Sequence, residues 1–139
     1  MSEQQNVKLV QDTYAAFQRG DIAGLLNNLD NNVDWSIQGP KDIIPFIGHL
    51  HGRDQVAKFF STLAQSQDVE QFEPKTYIAQ GDRVVALGHY RWRVKATGRK
   101  YESDFAHVFT IRNGKQAKFE EYTDTYAAAS AHQGAHAHV

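Results

Sequence analysis

Residues 84–96 read VVALGHYRWRVKA, and their alternation decides the fold. The even positions Val84, Ala86, Gly88, Tyr90, Trp92 and Val94 are apolar, aromatic or glycine, whereas His89, Arg91, Arg93 and Lys95 hold the odd ones. Successive side chains on a strand point to opposite faces, so this segment is a long strand with one dry face and one wet face. The neighbouring segments repeat the reading. Upstream, Val69 to Ala79 is a strand closed by the turn signal Gln80-Gly81-Asp82. Downstream, Thr97-Gly98-Arg99 turns the chain into a strand from Tyr101 to Ile111, with Tyr101, Phe105, His107, Phe109 and Ile111 on one side. Asn113-Gly114 is the strongest hairpin signal in the chain and leads into a last strand, Lys115 to Tyr126.

The first half carries the helical period instead. Val7, Val10, Tyr14 and Phe17 fall on one face of a helix over residues 3–19, stopped at Gly20. Asp21 caps a short helix with Ile22, Leu25, Leu26 and Leu29 as its stripe. Val33 to Ile37 is a short strand, Gln38 to Gly52 a long loop, and Arg53 to Gln67 a third helix with Val56, Phe59, Phe60 and Leu63 on one face. Helices followed by an antiparallel meander make an α+β fold: three N-terminal helices packed on a strongly curved, mainly antiparallel sheet, a cone-shaped barrel with a hollow at its open end. Trp35, Tyr90, Trp92, Phe105, His107, Phe109 and some of Phe119, Tyr122 and Asp124 point into that hollow. Aromatic walls with a few polar points are the composition of a small-molecule site.

Composition narrows the partners. The chain has 139 residues, 15 basic and 16 acidic, so it has no cationic excess for nucleic acid. It has no cysteine, which removes thiolate chemistry and Cys-based metal sites. No apolar run is long enough to cross a membrane, and the N-terminal MSEQQNVKLVQ lacks a signal-peptide layout, which reads as a cytoplasmic protein. Residues 1–126 form one domain, and the low-complexity run 127–139, with His132, His136 and His138, reads as a flexible tail.

Four stretches carry a family pattern: Tyr14-Ala-Ala-Phe17 with Arg19-Gly20-Asp21; Val33-Asp34-Trp35 with Gly39-Pro40; Pro45-Phe46-Ile47-Gly48 with Gly52-Arg53-Asp54; and Phe105-Ala-His107-Val-Phe109 with Asn113-Gly114-Lys115 and Glu121-Tyr122-Thr123-Asp124. In this order and spacing, residues 5–126 resemble the NTF2-like superfamily, and within it the SnoaL-like group related to polyketide cyclases and ketosteroid isomerases. The resemblance implies the conical fold, a homodimer paired through the outer sheet face, and no metal or cofactor. It does not fix a reaction, because the fold hosts isomerases, cyclases, hydrolases and pure binding modules.

Residue by residue, the ketosteroid isomerase base falls at Trp35 and its oxyanion aspartate at His107, while its tyrosine donor falls near Thr13 or Tyr14. That constellation is incomplete. Of the three groups of the epoxide hydrolases, only Asp124 has a match, since Gly88 and Tyr90 hold the other two places. The SnoaL-type cyclases fit best. They imply Asp124 as general acid/base, with His107 stabilising developing negative charge or carrying a proton. Tyr14, Trp35, Tyr90, Trp92, Phe105, Phe109 and Tyr122 then bind a small, largely apolar carbonyl compound. A bulge in the last strand would turn Glu121 inward in place of Asp124. Two other readings stay open: a non-catalytic binding protein using the same pocket, which Gly88→Leu would fill, and a structural domain with the pocket collapsed. His49 and His51 alternate in the long loop, with no third metal ligand near them in sequence.

Overall fold

The structure, a computed structural model, describes residues 2–133. Helix α1 spans Glu3–Gln18. Ser2 starts it through a capping box in which the Ser2 hydroxyl accepts from Gln5 N and the Gln5 side chain accepts from Ser2 N. Helix α2 is Ile22–Asn27, and the Asp21 carboxylate accepts from Gly24 N. This helix is shorter than its apolar stripe suggests, because Leu29, fully buried, already belongs to strand β1, Leu29–Ile37. Strand β2, Gly48–His51, follows inside the stretch expected to be loop, then helix α3, Arg53–Ser66. The meander is β3 (Gln67–Gln80), β4 (Arg83–Val94), β5 (Lys100–Arg112) and β6 (Lys115–Tyr122).

The six strands lie in the order β2-β1-β6-β5-β4-β3. All neighbours are antiparallel except β1 and β6. The sheet curves around the helices without closing, leaving β2 and β3 as its edges. α1 packs on β3 and β4, and α3 on β1, β2 and β3. In β4 every even position from Val84 to Val94 faces this core. Gly88 has a specific reason: the Phe105 ring and the carbonyl of Glu73 occupy the space a Cβ would need. At the β5–β6 turn, Asn113 and Gly114 take φ values of 51° and 74°, as a two-residue hairpin of this type requires.

The C-terminal segment departs from expectation. The last strand ends at Tyr122, and Thr125–Gln133 form a fourth helix, α4, where a flexible tail was expected. Its alanines have the highest helix propensity, and two of them, Ala128 and Ala131, are buried as the helix packs on β5. The Thr97 hydroxyl ties it down by donating to Ala131 O, and His132 Nδ1 bonds Ala128 O. The His132 ring lies between Phe46 and Tyr101, so it is packed rather than solvated. His136 and His138 lie outside the described residues.

Candidate functional site

A narrow hollow of about 70 Å³ runs between the helices and the concave sheet face. Its walls are almost wholly aromatic and aliphatic. Tyr14 and Phe17 come from α1, Phe59 and Phe60 from α3, and Trp35, Tyr90, Trp92, Phe109 and Phe119 from the sheet. Only the centre is polar. The Tyr14 hydroxyl lies 2.7 Å from His107 Nδ1, and His107 Nε2 lies 2.8 Å from Glu121 Oε2. His107 is 4% exposed, and its ring is stacked on Phe105 at 4.2 Å. Phe105 in turn stacks on Phe72. The aromatic slab fixes the plane of the imidazole, and the two hydrogen bonds fix its rotation.

Burial first, then Tyr77 and the Glu121 charge, hold the Tyr14 phenol well above its usual range, so it keeps its proton. In the tautomer of His107 that carries its proton on Nε2, the hydroxyl donates to Nδ1 and Nε2 donates to the Glu121 carboxylate. Burial and the same carboxylate also raise Tyr90, and burial with a smaller contribution from Glu121 raises Tyr101. Three protonated phenols thus surround one acidic group. His107 holds Glu121 by Oε2, which leaves the second carboxylate oxygen for other partners.

Of the residues singled out in the sequence, the fold brings Tyr14, Trp35, Tyr90, Trp92, His107 and Phe109 to this hollow. Phe105 stands behind His107 as its stacking partner. Tyr122 is 46% exposed on the outer face, where its hydroxyl donates to Glu120. Asp124 also lies outside. It is exposed, its Oδ1 accepts from Ala127 N at the start of α4, and its backbone N–H donates to Ser103 Oγ. Glu121 is the one carboxylate lining the hollow among the described residues. The cause is a register shift. Ile111 pairs with Gln116 but Thr110 pairs with Lys118, so Ala117 is an extra residue. Gln116 and Phe119 consequently both face the core, the odd positions Phe119 and Glu121 share the inner face, and even-numbered Tyr122 is turned out.

His49 and His51 sit on β2 beside Asp34, with His51 Nδ1 2.9 Å and His49 Nε2 3.7 Å from Asp34 Oδ1. Their hydrogen bonds and charge, His51 foremost, lower the Asp34 carboxyl below its usual range. Among the described residues no three such side chains are grouped to hold a metal ion.

The SnoaL-like domain family matches residues 10–119. The fold is similar to an NTF2-like protein from Burkholderia xenovorans LB400 at 36% identity, over 94% of this chain and 98% of that one, with a TM-score of 0.86. It is similar to an NTF2-like protein from Burkholderia thailandensis E264 at 28% identity, over 94% and 98% of the two chains, with a TM-score of 0.83. A third similar structure is TerC co-crystallized with polyporic acid, at 26% identity over 93% and 98% of the chains and a TM-score of 0.81. No curated protein sequence matches.

Proposed function

This chain belongs to the SnoaL-like domain family, and we propose that it binds a small, largely apolar carbonyl compound in the aromatic hollow and moves a proton on it without a cofactor, with Glu121 as general acid/base. The observation that carries this reading is the position of Glu121: a carboxylate inside an apolar cavity, gripped by His107 at 2.8 Å through one oxygen only. Its free oxygen takes a proton from the carbon beside the carbonyl. The electron pair of that C–H bond forms the enolate carbon–carbon double bond as the carbonyl π pair moves to oxygen, and Glu121 returns the proton at the same carbon or, where a further double bond is conjugated with the enolate, at its far carbon. His107, held by Tyr14, keeps the carboxylate aimed through its hydrogen bond. The role expected of Asp124 passes to Glu121, because the Asp124 carboxylate caps α4 on the surface. The similarity to TerC, co-crystallized with polyporic acid, fits an organic ligand in this cavity.

The test is hydrogen–deuterium exchange at the carbon beside the carbonyl in a panel of small ketones, followed by NMR. The wild-type protein accelerates exchange of at least one ketone, and Glu121→Gln loses that acceleration by about 10²- to 10⁴-fold. Equal exchange in the variant sinks the assignment.

A second reading, a binding protein that consumes nothing, is favoured by one observation: Tyr14 and His107 spend their polar atoms on each other and on Glu121. Saturable ketone binding with no exchange in the wild type selects it. Either reading is compatible with a homodimer through the outer sheet face. There Ile78, Leu87 and Tyr122 stay exposed, in register with half-buried Val85, Ala106 and Val108. Sedimentation of Leu87→Glu as a monomer, against a wild-type dimer, would support that pairing.

A further inference from the structure

One buried donor on a residue that lines the hollow has no protein partner. Trp35 is 4% exposed and lines the cavity, yet its Nε1–H is shielded from solvent and bonds no protein atom. A buried N–H without an acceptor costs on the order of 1–3 kcal/mol, so indole nitrogens inside proteins normally find one. Packing alone does not call for the nitrogen. The indole stacks on Phe119 with centroids 4.0 Å apart and meets Phe59 and Phe60 at 5.8 and 5.6 Å, contacts that a phenyl ring would also make.

The place of this donor relative to Glu121 is set by the sheet. β1 and β6 run parallel, with Trp35 opposite Phe119 and Ile37 opposite Glu121. Trp35 and Glu121 are therefore diagonal neighbours on the same inner face, their Cα atoms about 8 Å apart from strand spacing and rise. The donor and the base thus belong to neighbouring residues that both line the hollow.

We propose that Trp35 Nε1–H is the hydrogen-bond donor to the ligand's carbonyl oxygen, and that the ligand class is a compact ketone or enone whose acidic C–H lies next to, or conjugated with, that carbonyl. The proposal rests on the proton-transfer reading of Glu121 and adds the other half of the site. When Glu121 removes the proton, the carbonyl π pair moves to the oxygen, and the Trp35 N–H bond strengthens as negative charge develops there. The aromatic walls select flat, apolar bodies. The paired donor and base select an oxygen acceptor with an acidic C–H beside it. Because Nε1 is closed off in this structure, the proposal requires Phe59 and Phe60, the α3 rings that meet the indole, to shift when the oxygen binds.

The experiment uses the full chain, with 2-indanone as the probe and indane, the same body without the oxygen, as its control. In ¹⁵N–¹H spectra of the wild type, the Trp35 indole signal moves downfield as 2-indanone is added and does not move with indane; Trp35→Phe identifies it against that of Trp92. In the same titrations Trp35→Phe binds 2-indanone about tenfold more weakly, a difference of 1.4 kcal/mol, and binds indane as the wild type does. An indole proton that stays upfield and unmoved, the mark of an N–H packed over a phenyl face, overturns the proposal. Absence of saturable 2-indanone binding up to its solubility limit overturns it as well. The wild-type spectrum stands even where Trp35→Phe fails to fold. Glu121→Gln separates this inference from the reading it rests on: the indole shift persists there whether or not exchange is lost, so loss of the shift and persistence of exchange fail different claims.

Discussion

Two histidines on neighbouring strands are each held between two hydrogen-bond partners, on opposite faces of one sheet. His107, on the inner face of β5, sits between Tyr14 and Glu121 with its side chain 6% exposed. His89, on the outer face of β4, sits between Asp104 at 2.8 Å and Glu102 at 3.2 Å, with carboxylates that are 92% and 56% exposed. The bond lengths are similar and the consequences differ. Inside, each lost partner leaves a polar atom with no water to replace it, so geometry is enforced and a single carboxylate is aimed at the cavity. Outside, water and salt replace any lost partner, and the same arrangement is a weak surface feature. Burial, more than the motif, makes one histidine a candidate for chemistry and the other a candidate for surface electrostatics.

The sharpest way to break the contrast is to change neighbours in sequence that face opposite ways. Gly88 precedes His89 but lies on the core side, against the Phe105 ring and the Glu73 carbonyl. Gly88→Leu was expected to fill the pocket; in the structure Gly88 does not line it. The new side chain instead drives Phe105 off His107 and pushes β3 from β4. A loss of about 3 kcal/mol or more in urea denaturation is expected, at the upper end for overpacking, or no folded protein at all. A stable Gly88→Leu with an unchanged aromatic circular dichroism spectrum would contradict the account of the Phe72–Phe105–His107 slab.

Tyr14→Phe comes next. It keeps the ring contacts with Phe72 and Phe109 and removes only the hydroxyl that is hydrogen-bonded to His107 Nδ1. Leaving that nitrogen unpaired costs about 1–3 kcal/mol, read as a lower urea midpoint at unchanged slope. The imidazole ¹⁵N signals should also move, since Nδ1 loses its partner. Wild-type stability together with wild-type imidazole shifts would mean that the hydrogen bond has no part in holding His107.

How far the sequence reveals this contrast depends on parity. In β4 alternation is uninterrupted, so the inner and outer residues from Val84 to Val94 are legible at sight. In β6 a single extra residue, Ala117, inverts the count, and the family pattern nominates Asp124 where the fold presents Glu121. The possibility of a bulge is visible in the sequence, but its position is set by pairing with β5 and β1, which local pattern does not contain. α4 was hidden for a related reason. Its alanine run has no amphipathic signal, because small residues mark a close-packed helix only when the strand beneath it is known. The Trp35 donor was not visible either: the residue is a wall by composition, and its unpaired nitrogen emerges only when every neighbour has been placed.

The smallest effect belongs to the outer face, and its sign is the informative part. Hydrogen bonds to Asp104 and then Glu102 raise His89 above its ordinary value of 6.5. A histidine whose folded-state value is raised contributes stability that is fully present below its unfolded value and lost as pH rises through the folded one. Glu73 lies opposite His89 on β3 and adds a third carboxylate to the same face, so the favoured state of the ring is the charged one. The stability difference between wild type and His89→Gln is therefore largest below pH 6.5, while the carboxylates remain ionised, and shrinks as the pH is raised above it. Because the ion pairs are open to solvent, added salt diminishes the difference at every pH. Urea midpoints of the two proteins across this range, at low and high salt, decide the matter. A difference that grows with pH would mean that His89 is held neutral, and the surface trio would then resemble the buried one more than its exposure allows.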